Sequence, residues 1–358
     1  MVASTETRGL KVFSQLIREV IKSENCTFCG ACISVCPVGA ITVKDGWPTL
    51  TGRCVLCQLC YYQCPKTEPT LEELEKKLFK DLESKENPLG FYKAIYTVES
   101  TDGNIKSKAA NGGVVTSLLK IALEDGLVDC ATVAVADRLK GWIPKAEVAF
   151  TFQEVLEAAG SKYTYCPMIT ALASAFYEYM RSRVAFVGTP CQVLSVRKMQ
   201  LTDMGHRKLG EAAKLIMGLF CMENFNYNLI SEFLPNMSVK PEAVFKFDIS
   251  SGKFNVYGEG GKNLISVSVK ELEKYSRRGC MVCSDLTARL ADISVGGIGS
   301  KPGFSTVIVR TDIGEKIFKR ALELNAIRAE EISEQGLKSL IKVAKAKLDR
   351  VSKIKEKV

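Results

Sequence analysis

Two cysteine runs constrain this chain more than anything else in it. They read Cys26-x-x-Cys29-x-x-Cys32-x-x-x-Cys36-Pro37 and Cys54-x-x-Cys57-x-x-Cys60-x-x-x-Cys64-Pro65. Three thiolates spaced this way can turn inward from one short loop and hold three irons of a 4Fe–4S cubane, while the fourth cysteine of each run serves the other cluster. The spacing therefore predicts one cluster on Cys26, Cys29, Cys32 and Cys64, and a second on Cys54, Cys57, Cys60 and Cys36. The prolines restrict the ligands before them and turn the chain away from the metal. Zinc knuckles or a disulfide framework account for less. A zinc needs only four thiolates and gives no reason for the repeated third cysteine or the Cys-Pro ending. The stretch is predicted to carry single electrons, and its thiolates call for a reducing cytoplasm.

At 358 residues the chain is too long for that unit alone, and two or three domains are expected. Leu10, Val12, Phe13, Leu16, Ile17, Val20 and Ile21 recur at helical spacing with Lys11, Arg18 and Glu19 among them, which predicts an amphipathic helix over 10–22 and no signal peptide. No apolar run approaches the roughly 18 residues that span a bilayer, so no transmembrane segment is expected. The net charge of +9 is concentrated at the end, where 336–358 hold eight Lys or Arg against two acids and no aromatic. A nucleic-acid face would interleave the two, so that role is disfavoured. Leu337, Leu340, Ile341, Ala344, Leu348 and Val351 form a helical stripe there. Lys338, Lys342, Lys345, Lys347, Arg350, Lys353, Lys355 and Lys357 supply charge around and beyond it. Two readings stand: a terminal helix buried on its own domain, or a tether to an acidic partner or the cytoplasmic membrane face.

Between the cysteine runs, residues 40–43 and the Asp45-Gly46 turn predict a hairpin. A capped helix from Thr70 leads to Asn87-Pro88-Leu89-Gly90, which reads as a linker. The divisions expected are 1–87, a ferredoxin-type domain; 88–335, a larger mixed domain; and 336–358, a basic helix or tail. Strands are predicted at 93–98, 131–136, 183–188 and 215–220, alternating with helices that include 169–181. The strand-rich stretches 244–257 and 304–311 make the whole α+β with a mixed sheet. Asn111-Gly112-Gly113 opens a helix and is a candidate cradle for an anion or cofactor. No G-x-G-x-x-G follows a strand and no P-loop is present, so a nicotinamide domain is not supported. His206, the single histidine, is expected at the surface.

Of the fourteen cysteines, Cys130 and Cys166 read as core residues. Cys191, Cys221, Cys280 and Cys283 stand at loop-like strand ends and complete a third tetrathiolate set. A structural zinc fits the same count; the company of two redox clusters favours a third 4Fe–4S centre.

Several segments together resemble the family of coenzyme F420 hydrogenase/dehydrogenase beta subunits over roughly 90–330. They are Val187-Gly188-Thr189-Pro190-Cys191-Gln192, 218–225 around Cys221, Arg278-Gly279-Cys280-Met281-Val282-Cys283-Ser284-Asp285, Ala291-Asp292-Ile293-Ser294-Val295-Gly296, 111–116 and 160–163. With the double-cluster unit in front, the layout is most similar to the electron-input subunits of archaeal F420H2 dehydrogenases; hydrogenase beta subunits usually lack that unit. The resemblance implies FAD, hydride exchange with coenzyme F420, and a proximal cluster on Cys191, Cys221, Cys280 and Cys283. It implies that Asn111, Gly112, Gly113, Ser161, Lys162 and Tyr163 line the flavin and deazaflavin pocket, with Lys162 placed to stabilise the anionic reduced ring. No side chain is expected as a covalent catalyst. Expected partners are other subunits of a redox complex, membrane-embedded or not, or ferredoxin, with no nucleic acid; the alternatives are the same chemistry coupled to a hydrogenase, formate dehydrogenase or disulfide reductase, or a pure iron–sulfur electron-transfer adaptor.

Overall fold

The computed structural model describes residues 9–79 and 87–355; Lys357 and the stretch just before the expected boundary near 88 lie outside them. The predicted first helix forms as Phe13–Leu16 continued by a wider turn over Ile17–Ile21. The hairpin also forms, with β1 (Ile41–Lys44) and β2 (Trp47–Leu50) joined through Asp45 and Gly46, both at positive φ. That is the geometry a two-residue hairpin loop needs to match strand twist.

The internal repeat of the sequence is a repeat of backbone shape. Phe28 and Leu56, each two residues after the first cysteine of its run, share positive φ, as do Gly30 and Gln58. Each of the latter pair starts a single helical turn, Ala31–Ser34 and Leu59–Tyr62. The amides of Phe28 and Leu56 both donate to the preceding cysteine sulfur at 3.4 Å. Holding a non-glycine residue left-handed costs free energy; here it turns the amide and the next cysteine toward one centre.

The larger part is built on an eight-stranded mixed sheet. Its strands are β3 (Ala94–Ser100), β4 (Cys130–Val135), β5 (Lys145–Ala149), β6 (Val184–Gly188), β7 (Ala213–Leu219), β11 (Ile293–Gly296), β12 (Ser305–Val309) and β13 (Ile327–Glu331). They lie in the order β13-β3-β12-β11-β7-β6-β4-β5, with β11, β7, β6 and β4 parallel and the flanks antiparallel. Strands buried on both faces read as continuous apolar runs, and β6 alternates its contacts accordingly. Val184 and Phe186 join one core with Leu172, Val193 and Val196, while Ala185 joins the other with Leu118, Ile121 and Phe318. The first core also takes in Cys29, Ala31, Val35, Leu71 and Leu74, so the cysteine-rich unit is packed onto the sheet domain. A separate antiparallel sheet, β8 (Lys246–Ser250), β9 (Lys253–Tyr257) and β10 (Asn263–Ser268), has its own aromatic core around Phe225, Phe247 and Phe254.

Two details differ from expectation. The helix expected over 169–181 stops at Tyr177. The terminal helix, Glu334–Lys355, follows the first of its two readings: it buries Leu340 and Ala344 against a core containing Leu89, Ile95, Leu286 and Ile308, and Val351 is buried as well. Lys347, counted among the solvating charges, is 1% exposed and lies within the stripe. The helix is thus part of the fold, in place of a free tether. Among the described residues no helix is long and apolar enough to cross a membrane.

Candidate functional site

The structure gathers the twelve candidate cysteines into three neighbourhoods. Cys29 and Cys32 are buried, and desolvation followed by the repulsion of neighbouring thiols raises both. Cys26 and Cys64 are among those neighbours of each. Cys60 is pushed up to about 12 by burial and then by Cys57, Cys54 and Cys36. The fourth cysteines have therefore crossed over: Cys64 stands with the first run and Cys36 with the second. Among the described residues no three His, Cys, Asp or Glu side chains close into a single-ion site.

Cys191 and Cys221 sit just beyond the carboxyl ends of the adjacent parallel strands β6 and β7, where open α/β sheets place their ligands. Cys280 and Cys283 come from the short helix Arg278–Met281 and the turn after it. Burial, then Cys191, raises Cys280 to about 11, and Cys283 and Cys280 are both neighbours of Cys221. This third set abuts the first. Cys191 is a neighbour of Cys29. Gly279 donates its amide to the Glu24 carbonyl at 3.2 Å, and a Cβ there would stand 2.2 Å from the Asn25 oxygen. Only glycine lets the two loops approach this closely.

Cations that sequence reasoning missed surround these sulfurs. Lys198, fully buried, donates to the carbonyls of Cys64 (2.6 Å) and Thr67; burial pulls its pKa down to about 8. Arg277 lies over Tyr165, Trp47 and Phe28 and donates to the Gly46 carbonyl at 2.7 Å. Lys347 donates to the carbonyls of Cys221 and Asp285, the latter at 2.7 Å. Burial disfavours its charge, yet Cys283, Cys221 and Asp285 hold its pKa above the ordinary lysine value. Arg350 donates to the carbonyls of Met222 and Cys280, both at 3.1 Å, and to Glu223 at 2.8 Å. One signal was available for Lys347: it continues the 340, 344, 351 stripe.

Buried polar atoms are ordinarily paired. Among the described residues, the buried side-chain atoms left without partners belong to Asn25, Thr27, Gln63, Ser276, Arg277 and Arg350. Every one lies within four residues of a candidate cysteine or, like Arg350, bonds to one. The donors among them suit sulfur acceptors, so the residues present fit iron–sulfur clusters.

The candidate flavin residues form two neighbouring groups. Gly112 donates to Ser305 Oγ at 3.1 Å, and a Cβ on it would stand 2.4 Å from the Val98 oxygen. Gly113, left-handed, starts the 11-residue helix Val114–Glu124, which has no side-chain cap. Its first-turn amides suit an anionic group, and Asn111 is exposed beside Gly297, at the end of β11. These residues fit the phosphates of a dinucleotide. Ser161, Lys162 and Tyr163 follow Gly160, which approaches the Lys108 carbonyl. Lys162 does not project as a free charge. It donates to the carbonyls of Ala158 (2.6 Å), Ala159 (3.2 Å) and Gly160 (3.1 Å), and burial lowers it to about 8. Tyr163 accepts from the Ile249 amide at 3.1 Å, and burial pushes its hydroxyl up to about 12, with the nearby Ser161 side chain offsetting part of the rise. Cys130 and Cys166 are core residues. His206 caps the helix Arg207–Ala212 and meets the Tyr177 hydroxyl at 2.8 Å.

Fold and site together define an iron–sulfur α/β protein whose cysteine-rich front unit is packed onto a mixed-sheet domain. Models of the coenzyme F420 hydrogenase/dehydrogenase beta subunit match at 95–173 (N-terminal part) and 181–335 (C-terminal part), and a 4Fe–4S binding domain matches at 19–42. The chain belongs to the family of coenzyme F420 hydrogenase/dehydrogenase beta subunits. It is 38% identical to a coenzyme F420 hydrogenase subunit beta of Methanothermobacter thermautotrophicus, over 74% of this chain and 94% of that one. It is 33% identical to an F(420)H(2) dehydrogenase subunit of Methanosarcina mazei, over 84% of each chain. The solved F420-reducing [NiFe] hydrogenase complex of Methanosarcina barkeri contains a chain with 37% identity and a TM-score of 0.71, covering 75% of this chain and 93% of that one.

Proposed function

We propose that this chain oxidises reduced coenzyme F420 by hydride transfer to FAD and passes the electrons singly through three 4Fe–4S clusters to a partner. The observation that carries the reading is the row of cysteine sets, the third abutting the first and the second lying farther out. A deazaflavin yields two electrons together and a cluster accepts one, so bound FAD supplies the conversion between them. Asn111 and the amides opening the helix at Val114 would hold its phosphates. Gly112 and Gly113 let that segment pass against β3 and β12. Lys162 and Tyr163 brace the facing segment through their bonds to the carbonyls of 158–160 and to β8.

Electrons leave from the second set, which lies among the exposed side chains Val38, Leu50, Val55 and Leu56. The partner proposed is another subunit of an F420H2 dehydrogenase complex, supported by the match along 84% of both chains to the relative of that name. In the cell the chain would sit in the cytoplasm or on its membrane face.

Anaerobically purified protein should hold about twelve irons and twelve acid-labile sulfides, four of each per cluster. Refilled with FAD, it should reduce an artificial dye with reduced F420 and ignore NADH and NADPH. About eight irons with one zinc would make the third set structural. Dye reduction with NADH at a comparable rate would overturn the substrate, and failure to retain flavin would leave an electron-transfer adaptor.

A further inference from the structure

The terminal helix carries two cations onto the third cysteine set from outside the part of the chain that the family models match, which ends at 335. Lys347 is a buried lysine, and among the described residues its ammonium bonds only carbonyls, those of Cys221 and Asp285. The nearby Asp285 carboxylate accepts instead from the amides of Thr287 and Arg289. Among the described residues Lys347 forms no salt bridge, and burying a charge without a counter-charge is costly. Arg350, one helical turn on, is paired with Glu223 and also bonds the carbonyl of Cys280, while its Nε is buried without a partner. Both side chains thus reach the third set from one helix face.

Four thiolates outweigh the charge of a cubane core, so a loaded site is net negative. It is a further counter-charge for Lys347, beside the Asp285 carboxylate that lies near without bonding it. A positive charge and a hydrogen-bond donor beside a cluster favour its reduced state, because reduction adds negative charge. We infer that Lys347 and Arg350 are positioning residues that raise the potential of the third cluster, so that it draws electrons from the flavin side. The terminal helix is then a tuning element of the electron path. This rests on the third set holding a 4Fe–4S cluster, as proposed above.

The test is an EPR-monitored redox titration of the anaerobic holoprotein, with the third signal identified by its loss in Cys283→Ser. In Lys347→Met the third midpoint should fall, by about tenfold in the oxidised-to-reduced ratio at fixed potential, which is about 59 mV for one electron. The other two clusters should not move, and Lys347→Arg should restore most of the shift. Arg350→Met should shift the same signal downward by less. If Lys347→Met fails to fold or loses the cluster, Arg350→Met decides: a downward shift supports the inference and an unmoved potential overturns it. Equal shifts in all three clusters also overturn it. Metal analysis of the unaltered protein separates this inference from the function beneath it. Zinc at the third set removes both, whereas three intact clusters with unmoved potentials remove the inference alone.

Discussion

At the scale of single residues, the loops of the two halves of the protein meet closely at Gly279. Replacing it by alanine puts a methyl group 2.2 Å from the Asn25 carbonyl oxygen, which no side-chain rotation relieves. The loops holding Cys26 and Cys280 must separate. Gly279→Ala should therefore fold but lose iron from the first and third sets together, read as a fall in the iron-to-protein ratio; full iron content would mean the loops yield without cost. Asp292 sets a second constraint. Its buried carboxylate accepts from Arg197 (2.7 Å), Thr311 (2.8 Å) and the Ile216 amide (2.7 Å). Removing one member of a buried ion pair leaves the other uncompensated, at about 3–5 kcal/mol. Asp292→Ala should lower the free energy of unfolding by that order, read from denaturant titration, while leaving the flavin and cluster chemistry of the surviving folded protein intact. The Ala291–Gly296 motif is on this account a structural clasp between β7, β11 and the helix Pro190–Leu201.

At the scale of elements, the terminal helix makes the clearest demand. Leu340 is fully buried, and cutting such a leucine to alanine costs about 2–5 kcal/mol through lost contacts and the cavity left behind. Leu340→Ala should destabilise the protein by that amount, measured by denaturant unfolding. Ending the chain before Glu334 should reduce stability and cluster content together. A truncated protein with unchanged stability and iron that merely falls off its partner would restore the tether. This element also shows what sequence reading misses. The cysteine spacing was legible because each loop folds on its own few residues, and the crossover of Cys36 and Cys64 follows from the same local geometry. The third set was legible only as a count, since nothing local joins residues 191, 221, 280 and 283; the sheet does. Lys347 was misplaced because a lysine among lysines reads as solvated, and only the packing against β12 and the Leu286 loop shows that its position is interior. Lys162 was assigned to the flavin, but its nearest acceptors are three carbonyls just past the end of the preceding helix, Phe152–Glu157, a local capping pattern that competes with any ligand.

At the scale of the whole molecule, the order of the three sets sets the order of events. Substituting Cys283→Ser should leave reduction of bound FAD by reduced F420 near its original rate and slow everything after it. Stopped-flow absorbance would resolve the two phases, and a slowed first phase with an unchanged second would put that site off the path. The second set is the least enclosed, with Val55 and Leu56 about half exposed beside Cys54 and Cys57. A partner that covers those side chains would dehydrate the terminal cluster as it docks, and solvent exposure is one of the settings of a cluster's potential.

The shared core between the cysteine-rich unit and the sheet has a further consequence. Cys29, Ala31, Val35, Leu71 and Leu74 are wedged among the side chains of the helices Ile169–Tyr177 and Pro190–Leu201, and Lys198 bonds the carbonyl of Cys64 from beneath. A carrier on a hinge would deliver its charge by swinging, at a pace set by diffusion and the viscosity of the medium. Here the unit is soldered in place: spacing between centres is fixed, so throughput should respond to voltage differences along the row and be indifferent to added glycerol.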